Sequence, residues 1–238
     1  MREISDLKIK IFSDGANFAE MVEMSKRSYI HGLTTNPSLM KKAGIKDFKY
    51  FCKSVLEVIK DKPLSLEVFS DNFEEMERQA LEIQSWGENV YVKIPITNTS
   101  GKSSLPLINK LCNSGIKVNC TAIMTYEQVK NLSNVLNKDV PSIVSVFAGR
   151  IADTGRDPLP IMEKSLECLS EIRKAELLWA STRELLNIYQ AEDIGCHIIT
   201  VTADITNKFK YINYDLAKFS QETVKMFYKD ANEAGYQL

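Results

Sequence analysis

A lysine, Lys93, stands in the middle of the apolar run VYVKIPI (90–96). The run has the composition of a buried strand, in which successive side chains point to opposite faces. Val92 and Ile94 would share one face, with Tyr91 and Lys93 on the other. Because burial disfavours a charged amine, this lysine is expected to supply a neutral nucleophile for a carbonyl carbon. The resulting iminium ion is an electron sink beside which a carbon–carbon bond can break or form.

Polar side chains recur on the corresponding faces of other predicted strands. In LSLEVF (64–69), Glu67 is predicted to share a face with Ser65 and Phe69, and Asp14 ends the first strand. These two carboxylates could move protons during carbinolamine formation, dehydration and aldol cleavage. The other residues predicted near the carboxyl ends of strands are Thr34, Asn36, Asn119, Thr121, Ser145, Phe147 and Ser181.

Two arginines follow the sixth and the seventh predicted strands. Arg150 lies in FAGRIADTG and Arg183 in ASTRE. Ser181 to Arg183 are predicted to open a helix, and the free N–H groups of a helix start attract anions. Arginine binds phosphate in a fork geometry, so we expect Arg150, Ser181 and Arg183 to hold a phosphate group.

The elements that must position these residues alternate along the chain. Strand candidates recur every 25 to 35 residues or so, with helical periodicity between them, as in 73–86, 126–136 and 158–175. The candidates are 9–14, 32–36, 64–69, 90–96, 116–123, 142–149, 177–181 and 197–204. Such alternation indicates an α/β fold with a parallel sheet, either doubly wound or closed into a (β/α)8 TIM barrel. The first strand ends in SDGANF, without the GxGxxG of a dinucleotide-binding sheet, which favours the barrel.

The last part of the chain exceeds what one closing helix needs. We expect residues 1–238 to form one barrel domain, with 205–238 supplying a closing helix and a helical extension. Residues 216–231 could place an apolar face on the barrel or on a neighbouring subunit, so a homo-oligomer is expected.

Composition excludes several classes of function. The 238 residues hold 30 Lys plus Arg and 31 Asp plus Glu, so no basic excess favours nucleic acid or an anionic membrane. Two histidines make a multi-histidine metal site or a histidine triad improbable on composition. The five cysteines lack metal-finger spacing and are expected to be reduced. With no signal-peptide or membrane-spanning pattern, a soluble cytoplasmic protein is expected.

Five strings resemble the transaldolase family, particularly its small single-barrel members. They are GLTTNPSLM (32–40), VKIPIT (92–97), NCTAIMTYEQ (119–128), SVFAGRIADTG (145–155) and ASTRE (180–184). The resemblance implies a (β/α)8 barrel with the Schiff-base lysine at Lys93 and the acid/base at Asp14. It also implies that Glu67 and Thr121 hold a catalytic water.

The resemblance assigns the remaining residues to the substrate. Asn36, Asn119 and Ser145 would bind donor hydroxyls, Thr34 would line the site, and Arg150, Ser181 and Arg183 would hold phosphate. The implied reaction moves a dihydroxyacetone unit from sedoheptulose 7-phosphate or fructose 6-phosphate to an aldose phosphate. It needs no metal and no organic cofactor.

Two alternatives stay open. The fructose-6-phosphate aldolase branch uses the same lysine but releases free dihydroxyacetone, and it resembles a pattern with Gln on the third strand and Tyr on the sixth. Glu67 and Phe147 are the transaldolase-like residues at those positions, although ASTRE lacks the aromatic residue common before the basic one. A catalytically silent barrel that binds phosphosugars is the second alternative.

Overall fold

Eight parallel strands close into a barrel in the order of the sequence. The computed structural model describes residues 2–238, and β1 pairs with both β2 and β8. The strands are β1 (Lys10–Asp14), β2 (Ile30–Thr34), β3 (Leu64–Glu67), β4 (Val90–Pro95), β5 (Val118–Ile123), β6 (Ser142–Val146), β7 (Ala175–Trp179) and β8 (Ile198–Val201). The predicted (β/α)8 barrel is therefore confirmed.

Helices follow the strands and cover the outside of the barrel. They are α1 (Phe18–Ser25), α2 (Pro37–Lys42), α3 (Phe48–Val58), α4 (Phe73–Gln84), α5 (Leu105–Asn113), α6 (Tyr126–Ser133), α7 (Ala148–Ala152), α8 (Leu159–Leu169), α9 (Leu186–Asp193), α10 (Ala203–Thr206) and α11 (Leu216–Glu233). Short 3-10 turns occupy Ile4–Asp6 and Phe209–Tyr211. Among residues 2–238, no helix combines the length and apolar composition that crossing a bilayer requires.

The apolar side chains form two layers, one on each side of the strands. The larger layer lies between strands and helices and includes Val92 and Ile94. The smaller layer fills the barrel interior and consists of Phe12, Ile143, Leu178, Ala180 and Ile198. Because strand side chains alternate between faces, polar residues further along the same strands lie above this interior layer.

Gly32 makes room for the largest side chain of the interior layer. A Cβ atom at position 32 would lie 2.5 Å from the ring of Phe12, closer than real carbon contacts allow. The fully buried Phe12 ring therefore occupies the space that a side chain on β2 would fill.

Several predicted strands end earlier in the structure. The third stops at Glu67 because the backbone then turns outward, where Gln79 Oε1 accepts hydrogen bonds from the N–H groups of Phe69 and Ser70. The prediction that Phe69 shares the inward face of Glu67 is wrong, since the Phe69 side chain is 62% exposed and its ring contacts that of Phe48.

The end of the chain departs from a barrel's usual closing helix. After β8, α10 makes only one turn. The predicted helix over 216–231 is present as α11, but none of its residues is buried. Aromatic contacts and a hydrogen bond link it to the preceding segment. The Phe219 ring packs against Tyr211 and Tyr214, and the Tyr214 hydroxyl donates to the Glu222 carboxylate at 2.9 Å. Apart from Phe219, the apolar side of α11 is thus left uncovered by the other residues that the structure describes.

Candidate active site

A cavity of about 650 Å³ opens at the carboxyl ends of the strands. All the residues predicted from the sequence to form a site line it: Asp14, Thr34, Asn36, Glu67, Lys93, Asn119, Thr121, Ser145, Phe147, Arg150, Ser181 and Arg183. This is the end at which a barrel of this kind collects the loops that follow its strands.

Lys93 lies at the base of the cavity and is 6% exposed. Its Nζ atom donates a hydrogen bond to the Thr35 carbonyl oxygen at 2.9 Å and lies 3.2 Å from Glu67 Oε2. The register places Lys93 directly beside Glu67 on β3 and Asn119 on β5. The buried Lys93 amine therefore lies close enough to the Glu67 carboxylate to exchange a proton with it, and it also lines the cavity.

Asp14 ends β1 and accepts a hydrogen bond from Thr34 Oγ1 at 2.8 Å. Thr200 Oγ1 lies 3.4 Å from the same Thr34 hydroxyl. Burial raises the pKa of Asp14 above its ordinary value, and the charge on Lys93 and the Thr34 bond only partly offset this effect. A carboxyl group whose pKa is raised in this way is suited to general acid–base proton transfer.

Asn119 connects three strands inside the barrel. Its Nδ2 group donates to Ser65 Oγ at 3.0 Å, and its Oδ1 atom accepts from Ser145 Oγ at 2.6 Å. These bonds use one donor and one acceptor of the amide and fix its orientation beside Lys93.

Thr121 is different, because its Oγ1 atom is buried without a hydrogen-bond partner among residues 2–238. The next residue, Ala122, has a left-handed φ of 62°, and the pairing of β5 with β6 shifts between Cys120 and Ile123. An unpaired buried hydroxyl that borders a cavity is a natural position for an ordered water.

Asn36 lies past the end of β2 and caps α2, where its Oδ1 atom accepts from the Leu39 N–H at 2.9 Å. The sequence predicts a second strand over 32–36, but β2 ends at Thr34. Asn36 still reaches the cavity wall, but from a helix start and with its amide oxygen already bonded.

The two arginines line the same cavity under different constraints. Arg150, on α7, lies over the Phe147 ring at 5.6 Å and has no ion-pair partner in the described part of the chain. Arg183 forms a two-point ion pair with Asp153, in which its Nε atom lies 3.0 Å from Asp153 Oδ1. Arg183 is therefore anchored through one edge of its guanidinium group, whereas Arg150 is free to meet an anion.

The prediction that Ser181 to Arg183 open a helix is wrong. Helix α9 begins only at Leu186, and Ser181 has a left-handed φ of 65°. The N–H groups of Arg183 and Glu184 both donate to Asn187 Oδ1, at 3.0 and 3.1 Å. The N–H groups of Ser181 and Thr182 have no partner among residues 2–238. These two loop amides, instead of a helix start, are available to an anion.

Sequence reasoning missed part of the wall. Thr200, Thr202 and Asp204 line the cavity after β8, and Thr202 Oγ1 donates to Asp204. The alternation Ile198, Thr200, Thr202 was the available signal, but threonine is also common in strands for steric reasons alone. None of the residues from Arg2 onward forms a group of three or more His, Cys, Asp or Glu side chains placed to hold a metal ion.

The model of the family described as transaldolase/fructose-6-phosphate aldolase matches residues 11–238. The chain belongs to this family. Its relatives include a protein named "Probable transaldolase" from Methanococcus maripaludis. The two are 33% identical over 201 residues, which span 84% of this chain and 89% of the relative. A second of that name, from a Thermoanaerobacter species, is 32% identical over 231 residues, 97% of this chain and 100% of the relative.

Two solved structures with a similar fold are much more distant in sequence. A Burkholderia cenocepacia protein matches this member of the transaldolase/fructose-6-phosphate aldolase family with a TM-score of 0.59 at 10% identity, over 97% of this chain and 86% of that one. The structure of KGPDC from Streptococcus mutans matches with a TM-score of 0.56, also at 10% identity, over 84% and 90% of the two chains. These likenesses concern the barrel alone.

Proposed function

We propose that this family member is a transaldolase, which transfers a dihydroxyacetone unit from a ketose phosphate to an aldose phosphate through a Schiff base on Lys93. The observation that carries the proposal is the buried Lys93 amine, 3.2 Å from the Glu67 carboxylate at the base of an open polar cavity. Fructose 6-phosphate or sedoheptulose 7-phosphate is the donor.

The reaction begins when Lys93 transfers a proton to Glu67 and the resulting amine attacks the donor ketone carbon. The carbinolamine loses water as Glu67 supplies a proton to the departing hydroxyl, and the iminium ion forms. A water held by the unpaired Thr121 Oγ1 completes the path between carboxylate and substrate. Asn119, Ser145 and Asn36 bind the donor hydroxyls above the lysine, with Thr34 beside them.

Asp14 then removes the proton of the hydroxyl next to the bond that breaks. That bond's electron pair moves toward the iminium nitrogen, which leaves an enamine on Lys93 and releases the first aldose phosphate. The acceptor aldehyde takes the enamine carbon in the reverse sense, with Asp14 returning the proton, and hydrolysis frees the new ketose. The raised pKa of Asp14 suits both directions of this proton transfer.

The phosphate group binds at the opposite wall, between Arg150, Arg183 and Ser181. The free guanidinium of Arg150 and the unpaired N–H groups of Ser181 and Thr182 support this assignment. Arginine and backbone N–H groups together are a recurrent arrangement for phosphate.

The decisive assay compares transfer with release. The enzyme is given fructose 6-phosphate with and without erythrose 4-phosphate, and sedoheptulose 7-phosphate and free dihydroxyacetone are both measured. We expect transfer to dominate because Glu67 and Phe147 stand where the aldolase branch has Gln and Tyr. Dominant release of dihydroxyacetone would assign the chain to that aldolase activity instead.

Glu67→Gln is expected to lower kcat for transfer about 100-fold, because an amide can neither accept nor return the imine proton. The matched control is Glu176→Gln. Glu176 also pairs with a strand lysine, Lys10 at 2.7 Å, but at the amino end of the barrel. Equal activities of the two variants, measured by steady-state kinetics, would remove Glu67 from the proton path.

The cellular setting and the assembly are part of the proposal. Four of the five free cysteines are buried, Cys52, Cys112, Cys120 and Cys196, and unpaired thiols suit the reducing cytoplasm. The uncovered side of α11 exposes Leu216, Val224 and Phe227, which suits contact with another copy of the chain.

Phe227→Glu is therefore expected to reduce the sedimenting mass toward that of one 27.0 kDa chain. At 100° per residue, Lys225 lies on the opposite side of α11 from Leu216 and Phe227, so Lys225→Glu is the control and should sediment as the unaltered protein does. A mass that is the same in all three proteins would exclude α11 as the contact.

A further inference from the structure

The loop that carries Ser181, Thr182 and Arg183 rests directly on the first turn of α7. A Cβ atom at Gly149 would lie 1.6 Å from the Ser181 carbonyl oxygen and 3.2 Å from Arg183 Cγ. The Gly149 N–H also points to the Ala180 carbonyl oxygen at 3.3 Å. Gly149 is adjacent to Arg150 in the sequence. The helical turn that carries Arg150 is therefore also the surface on which the Arg183 loop packs.

Three further contacts hold the loop in this position. Thr182 Oγ1 donates to the Thr200 carbonyl oxygen at 2.7 Å and so ties the loop to β8. Asp153, which ends α7, binds the Arg183 guanidinium, and Asn187 Oδ1 binds the Arg183 N–H. The loop is thus held by contacts with α7, β8 and α9. Within it, Ser181 adopts a left-handed φ of 65°.

The left-handed conformation carries a cost that the surroundings must offset. A residue with a side chain adopts it unfavourably and keeps it only where other contacts determine it. Here it turns the Ser181 carbonyl onto Gly149 and leaves the N–H groups of Ser181 and Thr182 unbonded. The strain therefore coincides with the segment that meets phosphate in the proposed function.

We propose that Gly149 and Thr182 are positioning residues that lock the arginine loop onto α7 and β8, so that Arg150 and Arg183 converge on one phosphate group before substrate arrives. The inference rests on the proposed function, because it concerns how that phosphate is recognised. Neither residue acts on the reacting carbon atoms. Their loss should weaken binding of phosphorylated sugars while leaving Schiff-base chemistry at Lys93 intact.

The test uses borohydride trapping of the full-length protein with two ketones, fructose 6-phosphate and unphosphorylated dihydroxyacetone. For Gly149→Ala, the concentration of fructose 6-phosphate that gives half-maximal adduct should rise at least 10-fold, and that of dihydroxyacetone should change less than twofold. Thr182→Val, which keeps the side-chain shape, should raise the fructose 6-phosphate value three- to tenfold. The control is Ser54→Ala on α3, whose hydroxyl also donates to a backbone carbonyl oxygen, that of Tyr50 at 2.9 Å.

A double variant distinguishes locking of the loop from general damage. In an Arg183→Gln background, Gly149→Ala should raise the half-maximal fructose 6-phosphate concentration by a smaller factor than it does in the unaltered protein, because one of the groups that it positions is already lost. Additive effects, or equal losses with both ketones in Gly149→Ala and Thr182→Val, would overturn the proposal. If the unaltered protein forms an adduct with neither ketone, the proposed function itself is wrong. If the unaltered protein forms the adduct and the variants need the same ketone concentrations for half-maximal adduct, only the proposed locking of the loop is contradicted.

Discussion

Lys93→Met should abolish transfer activity, with kcat/KM falling at least about 10⁴-fold, the scale of loss seen when a covalent nucleophile is removed. Methionine fills nearly the same volume but offers no lone pair to a ketone carbon. The lysine is 6% exposed and has Glu67 and the Thr35 carbonyl as its polar contacts, and no other lysine lines the cavity of the described chain. No neighbouring amine can therefore take its place.

Borohydride trapping with fructose 6-phosphate followed by peptide mass analysis gives the direct measurement. The unaltered protein should carry a reduced adduct on Lys93, and the Lys93→Met protein should carry none. Lys130→Met is the control, because Lys130 is exposed on α6 on the outside of the barrel. An adduct on any other lysine, or residual transfer above one per cent in Lys93→Met, would contradict the Schiff-base assignment.

Asp14→Asn should lower kcat by about 10²- to 10⁴-fold while making the protein more stable at neutral pH. Asparagine can still accept the Thr34 hydrogen bond, so the loss of activity isolates the proton transfer. The gain in stability follows from burial, which raises the pKa of Asp14 in the folded state. An asparagine at this position has no charge to desolvate.

The sign of the pH dependence follows from proton counting. Between the unfolded pKa of about 3.9 and the raised folded pKa, the folded state keeps a proton that the unfolded state has lost. Asp14 therefore lowers stability as pH rises through that window, and the penalty is constant above it. The melting temperature of Asp14→Asn should exceed that of the unaltered protein at pH 7, and the difference should vanish below about pH 4.

Asp71→Asn provides the opposite case in the same chain. Asp71 also binds a threonine hydroxyl, Thr99 Oγ1 at 2.7 Å, but it is exposed, and its hydrogen bonds to Thr99 lower its pKa. Asp71→Asn should destabilise the protein above pH 4 and leave kcat unchanged. If the two variants shift the melting temperature in the same direction at pH 7, the burial argument for Asp14 is wrong.

The sequence predicts the fold and the chemistry of the cavity base from local patterns. Lys93 is conspicuous because a charged residue interrupts an apolar strand, and two-residue alternation is enough to place it on the same face as its neighbours' polar residues. The register then brings Lys93 beside Glu67 and Asn119, as parallel pairing of successive strands requires. Alternation is a local property, so it is legible without a structure.

The geometry around the arginines is not local. Ser181 and Thr182 look like a helix start, since serine and threonine favour that position, yet α9 begins at Leu186. What displaces the helix is contact with Gly149, more than thirty positions earlier in the chain, together with the Thr182 bond to β8. Phe69 shows the same limit, because a side chain on α4, Gln79, turns the backbone away from the strand.

The barrel interior is closed beneath Lys93 by an apolar layer that includes Phe12, Ile143, Leu178 and Ile198. Molecules therefore reach Lys93 through the cavity at the carboxyl ends of the strands and leave by the same opening. In the proposed transfer, the first aldose phosphate must therefore leave this cavity before the acceptor aldose phosphate can bind. An excess of acceptor should therefore inhibit the reaction by competing with the donor for this cavity. The cause is the apolar packing beneath Lys93, which closes the other end of the barrel.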